Sequence, residues 1–346
     1  MSATGTIRVL VVDDSAFARK VLRESLATHP GIEVVGTARD GLEALEKIAE
    51  LKPDVITLDL IMPNLDGLGV LHALPPSGGP RVVIVSISDG ESALGAEALQ
   101  AGAVELVHKP TALATDRLYD LSGQLIEKVL TAGGAIHRTS GPARAATQLS
   151  ELLRTMATVK LVVVGTSTGG PQALTRLLTA LPADLPCAVA VALHIPAGYT
   201  EALARRLNEQ SAVSVFEAWE GAVLPPGSVA IARGGSHLHI RADGSRLTTH
   251  VSQSPGNVPF FPSVNVLFES AAKALGPAVM GVVLTGMGDD GVEGARAIRA
   301  ARGRILTEAE SSCVVYGMPR AVNEAQLSMG TFPIEEMASA IVSRLG

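Results

Sequence analysis

From Ile7 to Leu130, short apolar runs alternate with longer stretches in which apolar residues recur every three or four positions. The runs are IRVLVV from Ile7, IEVVGT from Ile32, DVITLD from Asp54, RVVIVS from Arg81 and AVELV from Ala103. Between and after them lie helical patterns at Ala16 to Thr28, Gly41 to Leu51, Ser92 to Ala101 and Leu113 to Leu130. Runs with little polar alternation belong to strands buried on both faces, so this half predicts a parallel sheet of five strands covered by helices. The segment Pro75-Pro76-Ser77-Gly78-Gly79-Pro80 predicts that the helix before the fourth strand is cut short.

A second alternation starts at Lys160 with KLVVVGTSTGGP, which reads as a strand at Val162 to Val164, a turn at Gly169-Gly170-Pro171 and a helix from about Gln172. CAVAVAL from Cys187, PAVMGVVLT from Pro277 and GRILT from Gly303 read as further strands, and Tyr199 to Asn208 as a helix. Between Ser211 and Gln253, short extended runs are separated by turn signals at Pro225-Pro226-Gly227, Gly234-Gly235 and Asp243-Gly244, which predicts an inserted hairpin region. The second half is therefore expected to be a doubly wound α/β domain with a β-rich insertion. Gly133-Gly134 and Thr139-Ser140-Gly141-Pro142 mark the boundary. The expected division is residues 1–131, a linker at 132–156 with a short helix at Ala143 to Met156, and residues 157–346.

Composition narrows the function classes. A chain of 346 residues with 47% hydrophobic and 18% charged residues suits two globular domains. Net charge is −6 and aromatics are 3%, so neither a basic face nor a set of stacking platforms for nucleic acid is expected. Two cysteines, Cys187 and Cys313, cannot build a disulfide framework or a four-thiolate metal site. No apolar run approaches the ~18 residues of a membrane span, and the first residues lack a leader pattern. A cytoplasmic protein without membrane insertion is expected.

Parallel sheets gather their functional groups at the C-terminal strand ends. In the first half those ends carry Asp13 and Asp14, Asp59, Ser86, and Lys109-Pro110. Three carboxylates on one rim repel unless a cation neutralises them, and an all-oxygen set suits Mg²⁺. Such an ion on Asp13, Asp14 and the Asp59 region leaves Asp59 able to attack a phosphoryl group, with Lys109 as a point charge and Ser86 as a hydrogen-bond donor. With Val12-Asp13-Asp14-Ser15, Leu58-Asp59-Leu60-Ile61-Met62-Pro63, Asp66-Gly67, Ser86 and Lys109-Pro110, residues 7 to about 130 resemble the receiver domain of bacterial response regulators. The resemblance implies a flavodoxin-like fold, Mg²⁺-dependent phosphorylation of Asp59 and a histidine kinase as phosphodonor. Leu106 stands where receivers usually carry a switch aromatic, so switching runs through another residue or through a weaker rotamer change.

In the second half, Gly165, Ser167 and Gly169 form a G-x-S-x-G corner between strand and helix. A serine there is lifted above the sheet beside free backbone N–H groups, as a nucleophile requires; a glycine-rich turn that only packs closely or binds phosphate or a nucleotide has the same pattern. Among eight histidines, His194 ends the apolar strand from Cys187 and so shares the serine's rim. His237 and His239 alternate along a strand and read as core or surface residues, and the remaining histidines occupy helix-end, loop or linker positions. Asp289 and Asp290, after Thr285-Gly286-Met287-Gly288, supply an orienting acid or else a helix cap, and spacing does not choose between the two aspartates. The chain order Ser, His, Asp differs from that of the α/β-hydrolases.

These motifs, with Leu193-His194-Ile195-Pro196 and Ser312-Cys313-Val314-Val315-Tyr316-Gly317-Met318-Pro319, make residues 159 to 346 resemble the chemotaxis protein-glutamate methylesterases. The resemblance implies Ser167 as nucleophile, His194 as base, Asp290 as orienting acid, and Thr168 with the Met287 backbone around the oxyanion, with no cofactor in this domain. It further implies methyl-accepting chemoreceptors as partners, deamidation of glutamine at the same site, and a domain interface over Ser167 that phosphorylation releases. Where the family commonly reads H-R-P-S-V-D, this chain has Phe260-Phe261-Pro262-Ser263-Val264-Asn265, and in P-P-G-x-x-Y-I-A-P-G-G the tyrosine and last proline positions hold Ala230 and Arg233. A phosphorylation-controlled binding module with a weak or inactive esterase half is the alternative from another class.

Overall fold

The computed structural model describes residues 6–75, 78–87, 92–109, 115–134, 158–244, 246–253 and 259–346. The helix expected at 143–156, Pro110, and Pro76-Ser77 of the curtailing segment lie outside the described residues. The chain divides into two compact units, Met1–Arg138 and Thr139–Gly346.

In the first unit, β1 (Ile7–Val12), β2 (Ile32–Ala38), β3 (Val55–Leu58), β4 (Arg81–Ile87) and β5 (Glu105–Lys109) form one sheet in the order β2-β1-β3-β4-β5. Every pairing is parallel. β5 lies two residues further along than its apolar run, so Lys109 is its last residue. Helix starts follow capping chemistry: Ser15, Asp40 and Asp66 accept from the N–H groups of Ala18, Glu43 and Gly69. The helix Gly67–Ala73 has only seven residues and ends on an extended Leu74, the conformation that a residue before proline is pushed toward.

The second unit holds a parallel sheet of β6 (Leu161–Thr166), β7 (Ala188–Leu193), β8 (Ser214–Glu217), β9 (Ser228–Ile231), β12 (Val279–Val283), β13 (Arg304–Glu308) and β14 (Thr331–Phe332). Its order is β14-β13-β12-β6-β7-β9-β8, so the chain reverses direction across the sheet between β6 and β12. β10 (His237–Asp243) and β11 (Arg246–Ser252) form a separate antiparallel hairpin.

This corrects the hairpin reading of residues 211–253. Only the part from His237 onward is a hairpin, whereas β8 and β9 extend the main sheet in parallel. β9 is buried along its whole length and apolar after Ser228, and a four-residue run of that kind carries no periodicity to separate a sheet strand from a hairpin arm. The helix after β6 begins at Gly170 rather than near Gln172, with Gly169 as its N-cap. On the sheet, Val264, Leu267, Phe268 and Ala271 of the helix Val264–Leu275 pack into the core, and burial stabilises each large side chain by about 1.5–3 kcal/mol. Among the described residues no helix is long and apolar enough to cross a membrane. Both cysteines are unpaired, and burial pushes the Cys187 thiol up to about 12.

Candidate functional site

In the first unit, β1 and β3 deliver Asp13 and Asp59 to one rim as buried carboxylates, with Asp14 exposed beside them. Their donor oxygens lie within 4.8 Å of one another. Lys109, from the end of β5, reaches across with Nζ 2.6 Å from Asp13 Oδ2 and 2.5 Å from Asp59 Oδ2. Burial is the main force raising the Asp59 pKa; Lys109 opposes it and the Asp13 charge adds to it. Burial alone would lower the Lys109 pKa, but Asp13 and Asp59 outweigh it and hold the ammonium charged. One ammonium against three carboxylates leaves the rim negative, and an oxygen-only set of this size fits Mg²⁺. Ser86 is buried on β4, on the neighbouring strand to Lys109. Leu106 is buried in β5 against β4.

In the second unit the site lies where the sheet order reverses, the usual crevice of an open α/β sheet. Ser167 follows β6 and His194 follows β7, each one residue beyond the paired Thr166 and Leu193, and the His194 N–H donates to the Thr166 carbonyl at 3.1 Å. The corner is pinned by Thr285, just beyond β12. Its carbonyl accepts from Ser167 N at 3.1 Å and Thr166 Oγ1 at 2.7 Å, while its hydroxyl donates to the Thr168 carbonyl at 2.9 Å. Thr285 N in turn donates to the buried Glu308 carboxylate at 2.8 Å, whose pKa burial raises.

Two glycines permit this approach. Gly169 has φ +78°, and a Cβ there would stand 2.6 Å from Val314 Cβ; a Cβ on Gly286 would stand 2.9 Å from Ser167 Cβ. Thr168 is buried beside Ser167, and the exposed Met287 follows Gly286, which lies against Ser167. The Ser167 hydroxyl makes no hydrogen bond among the described residues.

His194 Nε2 stands 2.8 Å from Asp290 Oδ2, and both side chains are largely buried. Asp290 is therefore the aspartate that meets the histidine, while Asp289 is exposed. The carboxylate also accepts from Val264 N at 2.7 Å, Asn265 N at 3.0 Å and Ser263 Oγ at 3.0 Å. These donors are the first turn of the helix Val264–Leu275, where backbone N–H groups and the helix dipole favour an anion. Burial opposes ionisation of Asp290, but His194 and these N–H groups together lower its pKa.

Residues not singled out as site members complete the arrangement. Phe260 stacks on the His194 ring with centroids 4.2 Å apart and planes 8° from parallel. Asn265 Oδ1 accepts from Gly291 N at 2.9 Å and Gly294 N at 2.7 Å, capping the helix that follows Asp290. That work needs only an acceptor oxygen, which explains why an amide serves where the family motif has an acid. Ser263 was missed as a helix cap, although a serine after Pro262 and before an apolar run is a signal that could have found it; Phe260 and Thr285 had no comparable signal. His237 is buried and accepts from Ser263 N at 3.2 Å, a core role.

Both units resemble known protein families. The CheB methylesterase family matches residues 162–341, and the response regulator receiver domain matches residues 9–120. The chain is 60% identical over 343 residues to protein-glutamate methylesterase/protein-glutamine glutaminase 5 of Myxococcus xanthus, covering 99% of each chain. It is 42% identical over 346 residues to the protein-glutamate methylesterase/protein-glutamine glutaminase of Geobacillus kaustophilus, again covering 99% of each. Among solved structures, the Thermotoga maritima CheB methylesterase catalytic domain superposes with a TM-score of 0.52 at 33% identity, over 54% of this chain and 99% of that one. With its receiver domain and catalytic domain both matched in order, the chain belongs to the CheB methylesterase family.

Proposed function

We propose that this chain is a phosphorylation-controlled protein-glutamate methylesterase, also hydrolysing glutamine side chains, with Ser167, His194 and Asp290 as its triad. The observation that carries the reading is the buried His194–Asp290 pair, 2.8 Å apart, on the strand end beside Ser167. Ser167 Oγ attacks the carbonyl carbon of a γ-glutamyl methyl ester and gives its proton to His194 Nδ1, since Nε2 is engaged by Asp290. Asp290, held ionised, balances the imidazolium. That proton then passes to the departing methoxide as the C–O bond breaks, which leaves an acyl-enzyme and methanol. Water repeats the sequence and frees the glutamate carboxylate. Glutamine follows the same path with ammonia as the leaving group. Backbone donors at Thr168 and Met287 face the oxyanion, each worth about 10²–10³ in rate.

Residues 1–131 act as the receiver and 157–346 as the esterase, joined by a linker at 132–156. Asp59 takes a phosphoryl group from a chemotaxis histidine kinase, with Lys109 and Ser86 contacting its oxygens. Asp13, Asp14 and Asp59 hold Mg²⁺, which when bound supplies charge to offset the carboxylates and the phosphoryl oxygens. The substrates are methylated glutamates on chemoreceptor cytoplasmic helices, so the cytoplasm is the place of action.

The test is methanol release from methylated receptor, with and without a small-molecule phosphodonor and Mg²⁺, in wild type and Asp59→Asn. Stimulation is expected in the wild type alone. Stimulation that persists in Asp59→Asn would contradict the proposed control.

A further inference from the structure

A single hydrogen bond to Asp290 fixes one edge of the His194 ring but leaves its plane free to swing, because the terminal torsion of such a ring is broad. The plane is fixed by a second contact. Phe260 lies flat against the imidazole, centroids 4.2 Å apart and planes 8° from parallel. Phe260 is three residues before Ser263, whose hydroxyl donates to the same Asp290 carboxylate at 3.0 Å. The face contact and the edge contact therefore come from one short segment.

That segment is itself anchored. Phe261 packs its ring on His237 at 4.5 Å, and His237 Nδ1 accepts from Ser263 N at 3.2 Å. His237 opens β10, so the separate hairpin acts as the backstop from which Phe261 and Ser263 hold Phe260 in place. A phenyl face also favours the positive ring that forms when His194 accepts a proton.

We propose that Phe260 is a positioning residue that clamps the His194 ring so that Nδ1 is the nitrogen offered to Ser167. This rests on the reading of His194 as the base. The clamp sits at a motif position where the family commonly carries a histidine, so this chain meets the requirement for a flat ring with a group that cannot compete for the proton.

The experiment compares Phe260→Leu, which keeps bulk without a flat face, with Phe260→Tyr, which keeps the face. In Phe260→Leu, kcat for methanol release is expected to fall roughly 3- to 10-fold, the range of an aromatic pair, with KM within about twofold. Phe260→Tyr is expected to restore kcat to within about twofold. In parallel, ¹⁵N NMR of the full chain is expected to show one His194 tautomer, protonated at Nε2, in wild type and Phe260→Tyr, and a mixture in Phe260→Leu. A folded Phe260→Leu with unchanged kcat and an unchanged tautomer would overturn the clamp and leave Phe260 a packing residue. If the wild type releases no methanol, the reading of His194 as base falls separately. The tautomer comparison then still decides the clamp, with a mixture in Phe260→Leu supporting it and a single tautomer overturning it.

Discussion

Replacing Asp290 by asparagine keeps the shape of the site and removes its charge. In wild type, Oδ1 receives Ser263 Oγ and Asn265 N, and Oδ2 receives Val264 N and His194 Nε2. Whichever way the amide is turned, its NH₂ faces a backbone N–H, either that of Asn265 or that of Val264. One buried donor is left without an acceptor, which costs about 1–3 kcal/mol of stability. The kinetic loss is larger. An imidazolium and carboxylate with charge centres about 4 Å apart interact by roughly 4 kcal/mol at an effective dielectric near 20, which converts to about 10³ in rate. Serine proteases with the same constellation lose about 10⁴ in kcat on this substitution. The expected result is therefore a fall of about 10³–10⁴ in methanol release, with a transition temperature lower by roughly 2–4 °C per kcal/mol lost. Single-turnover release beside a thermal melt separates the two effects. A folded Asp290→Asn within about tenfold of wild type would refute the assignment of the orienting acid.

Other consequences follow from neighbouring contacts. The Asp290 pKa lies below the ordinary aspartate value of 3.8, so its stabilisation is complete above that pH and is lost as pH falls through the lower folded value. Below about pH 4, wild type is expected to lose more stability than Asp290→Asn in parallel denaturation curves, and equal losses would contradict the lowered value. Gly169→Ala forces a side chain to φ +78° and into Val314 at 2.6 Å, so urea melts should show a loss of about 2 kcal/mol or more. Asn265→Ala strips the acceptor from Gly291 N and Gly294 N and is expected to lower stability by about 1 kcal/mol, whereas Asn265→Asp retains it. A melt in which both variants behave alike would show that the cap is not what Asn265 contributes.

How far the sequence reading reached depended on the kind of constraint each element obeys. Five strands of the first unit and the strands bearing Ser167 and His194 were legible because buried parallel strands are continuous apolar runs. Their C-terminal ends then place Asp13, Asp59, Ser86, Lys109, Ser167 and His194 on shared rims without further information. β8 and β9 were misassigned because four-residue runs carry no period, and their place depends on which neighbour offers a free sheet edge. The choice between Asp289 and Asp290 is set by distant partners: the helix start at Val264 and Asn265 captures one carboxylate and leaves the other in solvent. Phe260 was visible only as a departure from a motif. Its contact with His194 spans 66 residues of chain and follows from where the segment before Ser263 is pinned.

The central claim is that Ser167 carries the acyl group of a glutamyl ester hydrolysed with His194 and Asp290. The measurement that tests it most directly is methanol release from a methylated chemoreceptor fragment by the full chain, wild type against Ser167→Ala, at equal folded concentration. Release by the wild type that disappears in Ser167→Ala is the predicted result. Release that continues at the wild-type rate without the Ser167 hydroxyl, or no release from the phosphorylated wild type, would contradict the account.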